Sequence, residues 1–181
     1  MPGRIPEPWL GFLSDLDRAL TEAVEVHCLG GFVLKVLWGL PRPTGDIDII
    51  GVRPLAAREV LLSLAGEGTE LAKNCDLHVQ YVTIAEYPDG YESRLIDITP
   101  AGFRRLKLRA LDVHDLVLAK LSRNSPRDRA DVEFLVSKGV LVRRLLEDRF
   151  EAELRPNLLN EKRETLTFEL WLAEFFGNER R

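Results

Sequence analysis

Residues 29–52, Leu-Gly-Gly-Phe-Val-Leu-Lys-Val-Leu-Trp-Gly-Leu-Pro-Arg-Pro-Thr-Gly-Asp-Ile-Asp-Ile-Ile-Gly-Val, constrain the fold more than any other stretch of the chain. Asp46 and Asp48 lie two apart in the β-branched run Asp-Ile-Asp-Ile-Ile. Such a run reads as a strand, in which alternate side chains share a face. Both carboxylates therefore project from one face, and Ile47 and Ile49 anchor the other in a core. Two carboxylates held this close suit Mg²⁺, a hard cation that takes oxygen ligands and fills its other positions with water and substrate phosphates. Upstream, an apolar run over residues 24–29 ends at Gly30-Gly31, and Phe32, Val33, Val36, Leu37 and Leu40 then recur at helical spacing. Strand, glycine turn and helix in that order let phosphate oxygens approach backbone N–H groups at a helix N-terminus, where the aligned peptide dipoles favour negative charge. A Gly-Gly is also an ordinary tight turn, and an Asp-x-Asp also a strand end facing water. Their succession is what carries information.

Around this stretch, Trp9, Leu13, Leu16, Leu20 and Ala23 predict a packing helix over 9–24. Pro54 opens a helix over 55–65. A Val/Tyr-rich strand is expected over 77–84, and Pro88-Asp89-Gly90 marks a turn before a further strand over 91–98. Residues 104–111 alternate basic and apolar side chains, which predicts a half-exposed strand at a sheet edge. Asp112 is placed to cap a helix over 113–123 whose apolar body includes Lys120. Ser125-Pro126-Arg127-Asp128 has the order of N-cap, N1, N2 and N3 of the next helix, a variant of the capping box that alone accounts for Asp128. Asp131 precedes Phe134 and Leu135 by three and four residues, which puts an acid at the edge of a buried stripe and in need of Lys120 or Arg127 as partner. It serves either a structural ion pair or the substrate directly. Helices over 141–154 and 161–176 complete the chain. The fold class is α+β: a small mixed sheet flanked by helices, with a core over 1–140 that includes the N-terminal helix, and a C-terminal helical segment over 141–181 packed on it.

The net charge of −4 in 181 residues argues against a globally basic nucleic-acid binder, although a local RNA-facing patch is compatible with it. The arginines of the last third interleave with acids, as on a solvated helix laced with ion pairs. Cys28 and Cys75 lack any zinc-ligand spacing, which predicts buried free thiols in a reducing cytoplasm. No run of about 18 apolar residues is present, so no membrane partner is expected. The proline-containing opening over 1–8 reads as a loose or docked arm.

Taken together, Gly30-Gly31, Arg42, Thr44 and Asp46-Ile-Asp48 resemble the signature of the DNA polymerase β-type nucleotidyltransferase superfamily, in particular its AbiEii-like bacterial branch. Lys120-Leu121, Arg127-Asp128 and Asp131 resemble that branch's second signature. The resemblance covers roughly residues 24–136. It implies a nucleotidyltransferase-type sheet, triphosphate held at Gly30, Gly31, Arg42 and Thr44, catalytic Mg²⁺ on Asp46 and Asp48, and catalytic roles for Lys120 and Asp131. It further implies transfer of a nucleoside monophosphate from a nucleoside triphosphate to RNA, tRNA or protein, and a toxin role with a neighbouring antitoxin. One feature departs from the superfamily pattern: the strand over 77–84 carries no third carboxylate. Either Asp76, Asp97 or a helical acid completes the site, or the chain is a non-catalytic nucleotide-binding or partner-binding module that keeps the fold.

Overall fold

The computed structural model describes residues 5–177, so that residues 1–4 of the expected arm lie outside the described residues. The chain forms two compact units, one of residues 1–83 and 95–111, the other of residues 84–94 and 112–181. The α+β class expected from the sequence is found.

The first unit is built on a five-stranded mixed sheet. Its elements are α1 (Trp9–Ala19), β1 (Val24–Leu29), α2 (Gly30–Trp38), β2 (Asp46–Arg53), α3 (Ala57–Ala65), α4 (Glu70–Cys75), β3 (His78–Tyr81), β4 (Ile96–Asp97) and β5 (Leu106–Ala110). The strand order is β3-β2-β1-β5-β4. β1 runs antiparallel to β2 and parallel to β5, while β2 and β3 are parallel. Alternation sorts the two faces. Val26, Ile47, Ile49, Val79, Leu106 and Leu108 are buried on one face against Leu13 and Leu16 of α1 and Leu61 of α3. Asp46 and Asp48 lie on the other, half-buried. Between His27 and Cys28 of β1 the register with β2 slips, placing His27 opposite Gly51. A Cβ at Gly51 would stand 2.5 Å from His27 Nδ1, so glycine is what admits the imidazole there.

Several expectations need correction. Residues 104–111 do not form an edge strand, because β4 pairs with the outer side of β5. Arg109 is half-buried there, 3.5 Å from Glu25 and 3.6 Å from Asp97. The alternating charges suggested an edge because β4 is only two residues long. Residues 91–98 are not one strand: a 3₁₀ turn, Asp89–Arg94, precedes the short β4. The first helix ends at Ala19 rather than near residue 24, leaving Leu20 as its extended C-cap. Asp17 in that helix is buried, and its carboxylate accepts from the backbone N–H groups of Arg104, Arg105 and Leu106, fastening α1 to the start of β5.

The second unit is helical: α5 (Val113–Leu118), α6 (Pro126–Ser137), α7 (Arg143–Arg149) running on into a π turn (Phe150–Leu154), and α8 (Glu161–Phe176). Phe150 stacks on Phe168 with centroids 4.2 Å apart, and the Trp171 indole donates to Asn124 Oδ1 at 3.1 Å. α5 is shorter than its apolar pattern suggested, with turns following Leu118. No described helix is long and apolar enough to cross a membrane.

Candidate functional site

β1 passes into α2 without a loop because Gly30 adopts φ +76°, a left-handed conformation that side chains disfavour. The turn is also tight in space. A Cβ at Gly30 would stand 2.4 Å from Asp48 Oδ2, so the glycine backbone lies directly against the carboxylate. At Gly31 a Cβ would stand 3.1 Å from Thr44 Oγ1 and 3.2 Å from Arg42 Nη2. The structure thus brings together Gly30, Gly31, Arg42, Thr44 and Asp48 around the first turn of α2. Asp46 joins them through Thr44, whose hydroxyl donates to Asp46 Oδ1 at 2.7 Å. The N-cap of α2 is Leu29, whose side chain makes no capping bond, and a helix N-terminus of this kind suits an anion. Cys28 is fully buried on the core face; burial, and secondarily the charge of Asp48, push its thiol up, so it stays neutral and outside the oxygen donor set.

The donor chemistry fits a divalent hard cation. Asp46 and Asp48 offer carboxylate oxygens from one strand face, and the adjoining glycine turn and Arg42 suit the phosphates that complete such an ion's shell. Asp97 does not join them, since β4 lies three strands from β2 and its carboxylate is bonded to the Thr99 N–H and near Arg109. Asp76 is an exposed, left-handed C-cap of α4 rather than a strand residue. Among the described residues no group of three His, Cys, Asp or Glu side chains is placed to hold a metal.

In the second unit the structure brings together Lys120, Asp128 and Asp131. Lys120 Nζ donates to Asp128 Oδ1 at 3.0 Å and to Asp131 Oδ2 at 2.9 Å, and all three side chains are buried. The capping box is present, with the Ser125 hydroxyl accepting from the Asp128 N–H and Asp128 Oδ2 from the Ser125 N–H. Asp128 does more than cap: Arg123 donates to both of its oxygens, at 2.5 and 2.7 Å. Burial opposes its charge, but Arg123, Lys120 and Ser125 outweigh this and hold the carboxyl well below its ordinary range.

A second charged cluster in this unit escaped sequence reasoning. Asp115, fully buried, receives both Arg94 Nε and Nη2, at 2.9 and 3.0 Å, and Arg149 at 3.0 Å. Arg94 also grips Glu153 through two bonds of 3.0 and 2.7 Å. These partners are 21 to 59 residues apart, beyond any local spacing rule. His114 accepts the Val142 N–H at Nε2 and so donates from Nδ1 to Asp112, which makes it a structural imidazole.

Residues 14–175 match the family described as nucleotidyltransferase of unknown function, DUF6036. The chain belongs to this family. The nucleotidyltransferase family thereby accounts for most of the chain, including the glycine turn, the β2 carboxylates and the helical acids. No curated protein and no solved structure gives a significant match.

Proposed function

We propose that this DUF6036 nucleotidyltransferase moves a nucleoside monophosphate from a nucleoside triphosphate to a hydroxyl of an RNA, tRNA or protein acceptor, with release of pyrophosphate. The observation that carries the reading is the close approach of Gly30 to Asp48, with Arg42 and Thr44 over Gly31. In this reading the first-turn N–H groups of α2 and the Arg42 guanidinium bind the phosphates, and the fixed Thr44 hydroxyl holds Asp46 in position beside them. Asp46 and Asp48 supply the oxygens for Mg²⁺. When bound, the ion offsets charge developing on the transferring phosphate and aligns it for in-line displacement. Lys120 and Asp131 share in catalysis by resemblance to the AbiEii-like second signature. The same resemblance supports a toxin role with a neighbouring antitoxin.

A second reading, a nucleotide-binding or partner-binding module without turnover, is favoured by one observation: β3 offers no carboxylate beside β2. Label position separates the two. Each triphosphate, labelled in turn at the α- and at the γ-phosphate, is incubated with Mg²⁺, total RNA and cell protein. Transfer predicts α-label in a macromolecule and γ-label in pyrophosphate; reversible binding with neither product supports the module.

A further inference from the structure

β3 lies beside β2 in parallel register, with His78 next to Asp46, Val79 next to Ile47 and Gln80 next to Asp48. Residues paired in this way stand about 4.8 Å apart and share a face. Val79 is buried with Ile47 on the core face, which puts Gln80 on the carboxylate face, where it is exposed. Gln80 therefore occupies the strand position from which a third carboxylate would flank Asp48. It has the shape and reach of glutamate and none of the charge.

The charge matters for ion count. Two-ion phosphoryl-transfer sites hold their cations about 3.5–4 Å apart, and at that separation two doubly charged ions need anionic ligands around both of them. With only Asp46 and Asp48 at hand and no described group of three candidate metal-binding side chains, the chain's own negative charge is short of that requirement. We propose that Gln80 limits this site to a single divalent ion, the one that arrives with the triphosphate. The acceptor hydroxyl is then positioned by protein contacts alone. This rests on the reading of Asp46 and Asp48 as the ion's ligands given above.

Manganese is a countable probe. The parent chain, Gln80→Glu and Gln80→Ala are dialysed to equilibrium with Mn²⁺ and a non-hydrolysable triphosphate, and the metal held by free nucleotide is subtracted. Circular dichroism confirms that each variant is folded; substitution at an exposed strand position makes this the expected result. The parent and Gln80→Ala should each retain one Mn²⁺ per chain, and Gln80→Glu two, with the second ion bound at least tenfold more tightly than any second ion in the parent. Two ions in the parent, or one in Gln80→Glu, would overturn the inference about Gln80 while leaving the site itself standing. Neither nucleotide nor metal on the parent would instead remove the assignment of the site, and this inference with it.

Discussion

Gly30 cannot be replaced without moving Asp48. Its φ of +76° disfavours any side chain, and a methyl group would meet Asp48 Oδ2 at 2.4 Å. Gly30→Ala is expected to cost about 1–2 kcal/mol from backbone conformation alone. It should also abolish nucleotide binding in a fluorescent-analogue titration, whereas a turn with only a structural role would lose stability and keep affinity. Asp128 and Asp131 separate in a similar way. Asp128 accepts from Ser125, Arg123 and Lys120 in a fully buried position, so Asp128→Asn leaves two cations less well paired and should cost about 3 kcal/mol, more than loss of a cap. Asp131→Asn should lower turnover by orders of magnitude at smaller cost to stability, if transfer depends on its charge. Thermal melts alongside label transfer check both, and equal loss of turnover per folded molecule would contradict the division of roles.

At the scale of elements, the 3₁₀ turn Asp89–Arg94 is tied to the C-terminal helical unit by Arg94 and by the Gly90 N–H, which donates to Glu153 at 3.0 Å. Arg94→Ala leaves the buried Asp115 with Arg149 but without its two-pronged partner, and should cost about 3 kcal/mol. Hydrogen exchange should rise first over residues 84–94; unchanged protection there would show that other contacts hold the turn. This region also marks the limit of what the sequence discloses. β1, α2 and β2 were legible because strand alternation, a glycine pair and helical spacing are local signals, and the Asp46–Asp48 pair came with them. The Ser125–Asp128 box was legible for the same reason. Asp17 reaching β5 across 89 residues, Gln80 falling beside Asp48, and the Arg94–Asp115 pair depend on register and packing, which local periodicity does not encode. Residues 70–75 formed a short helix that the apolar pattern did not mark, its start set by Thr69, whose side chain accepts the Ala72 N–H.

For the whole molecule, carboxylates held below their ordinary range set the response to acid. Burial opposes the charge of Asp17, Asp112 and Asp128, but backbone N–H donors at Asp17, His114 and Arg149 at Asp112, and Arg123 and Lys120 at Asp128 outweigh it and lower each pKa. A carboxyl lowered in the folded state binds fewer protons there than in the unfolded chain. Its contribution is complete above the unfolded value of about 3.9 and is lost as pH falls toward the folded one. The melting temperature should therefore hold from pH 7 to about 5 and fall steeply below about 4, with a shallower fall in Asp17→Asn; equal melting temperatures at pH 7 and 3 would contradict this. The central claim, that Asp46 and Asp48 hold the ion of a bound triphosphate, is tested most directly by the melting temperature with Mg²⁺ and each triphosphate. At a hundredfold excess over the dissociation constant, binding to the folded state alone stabilises by about 2.7 kcal/mol, a rise of roughly 5–10 °C for a chain of this size. That rise is expected in the parent and is lost in the Asp46→Asn, Asp48→Asn double variant; an equal rise in both would contradict the claim.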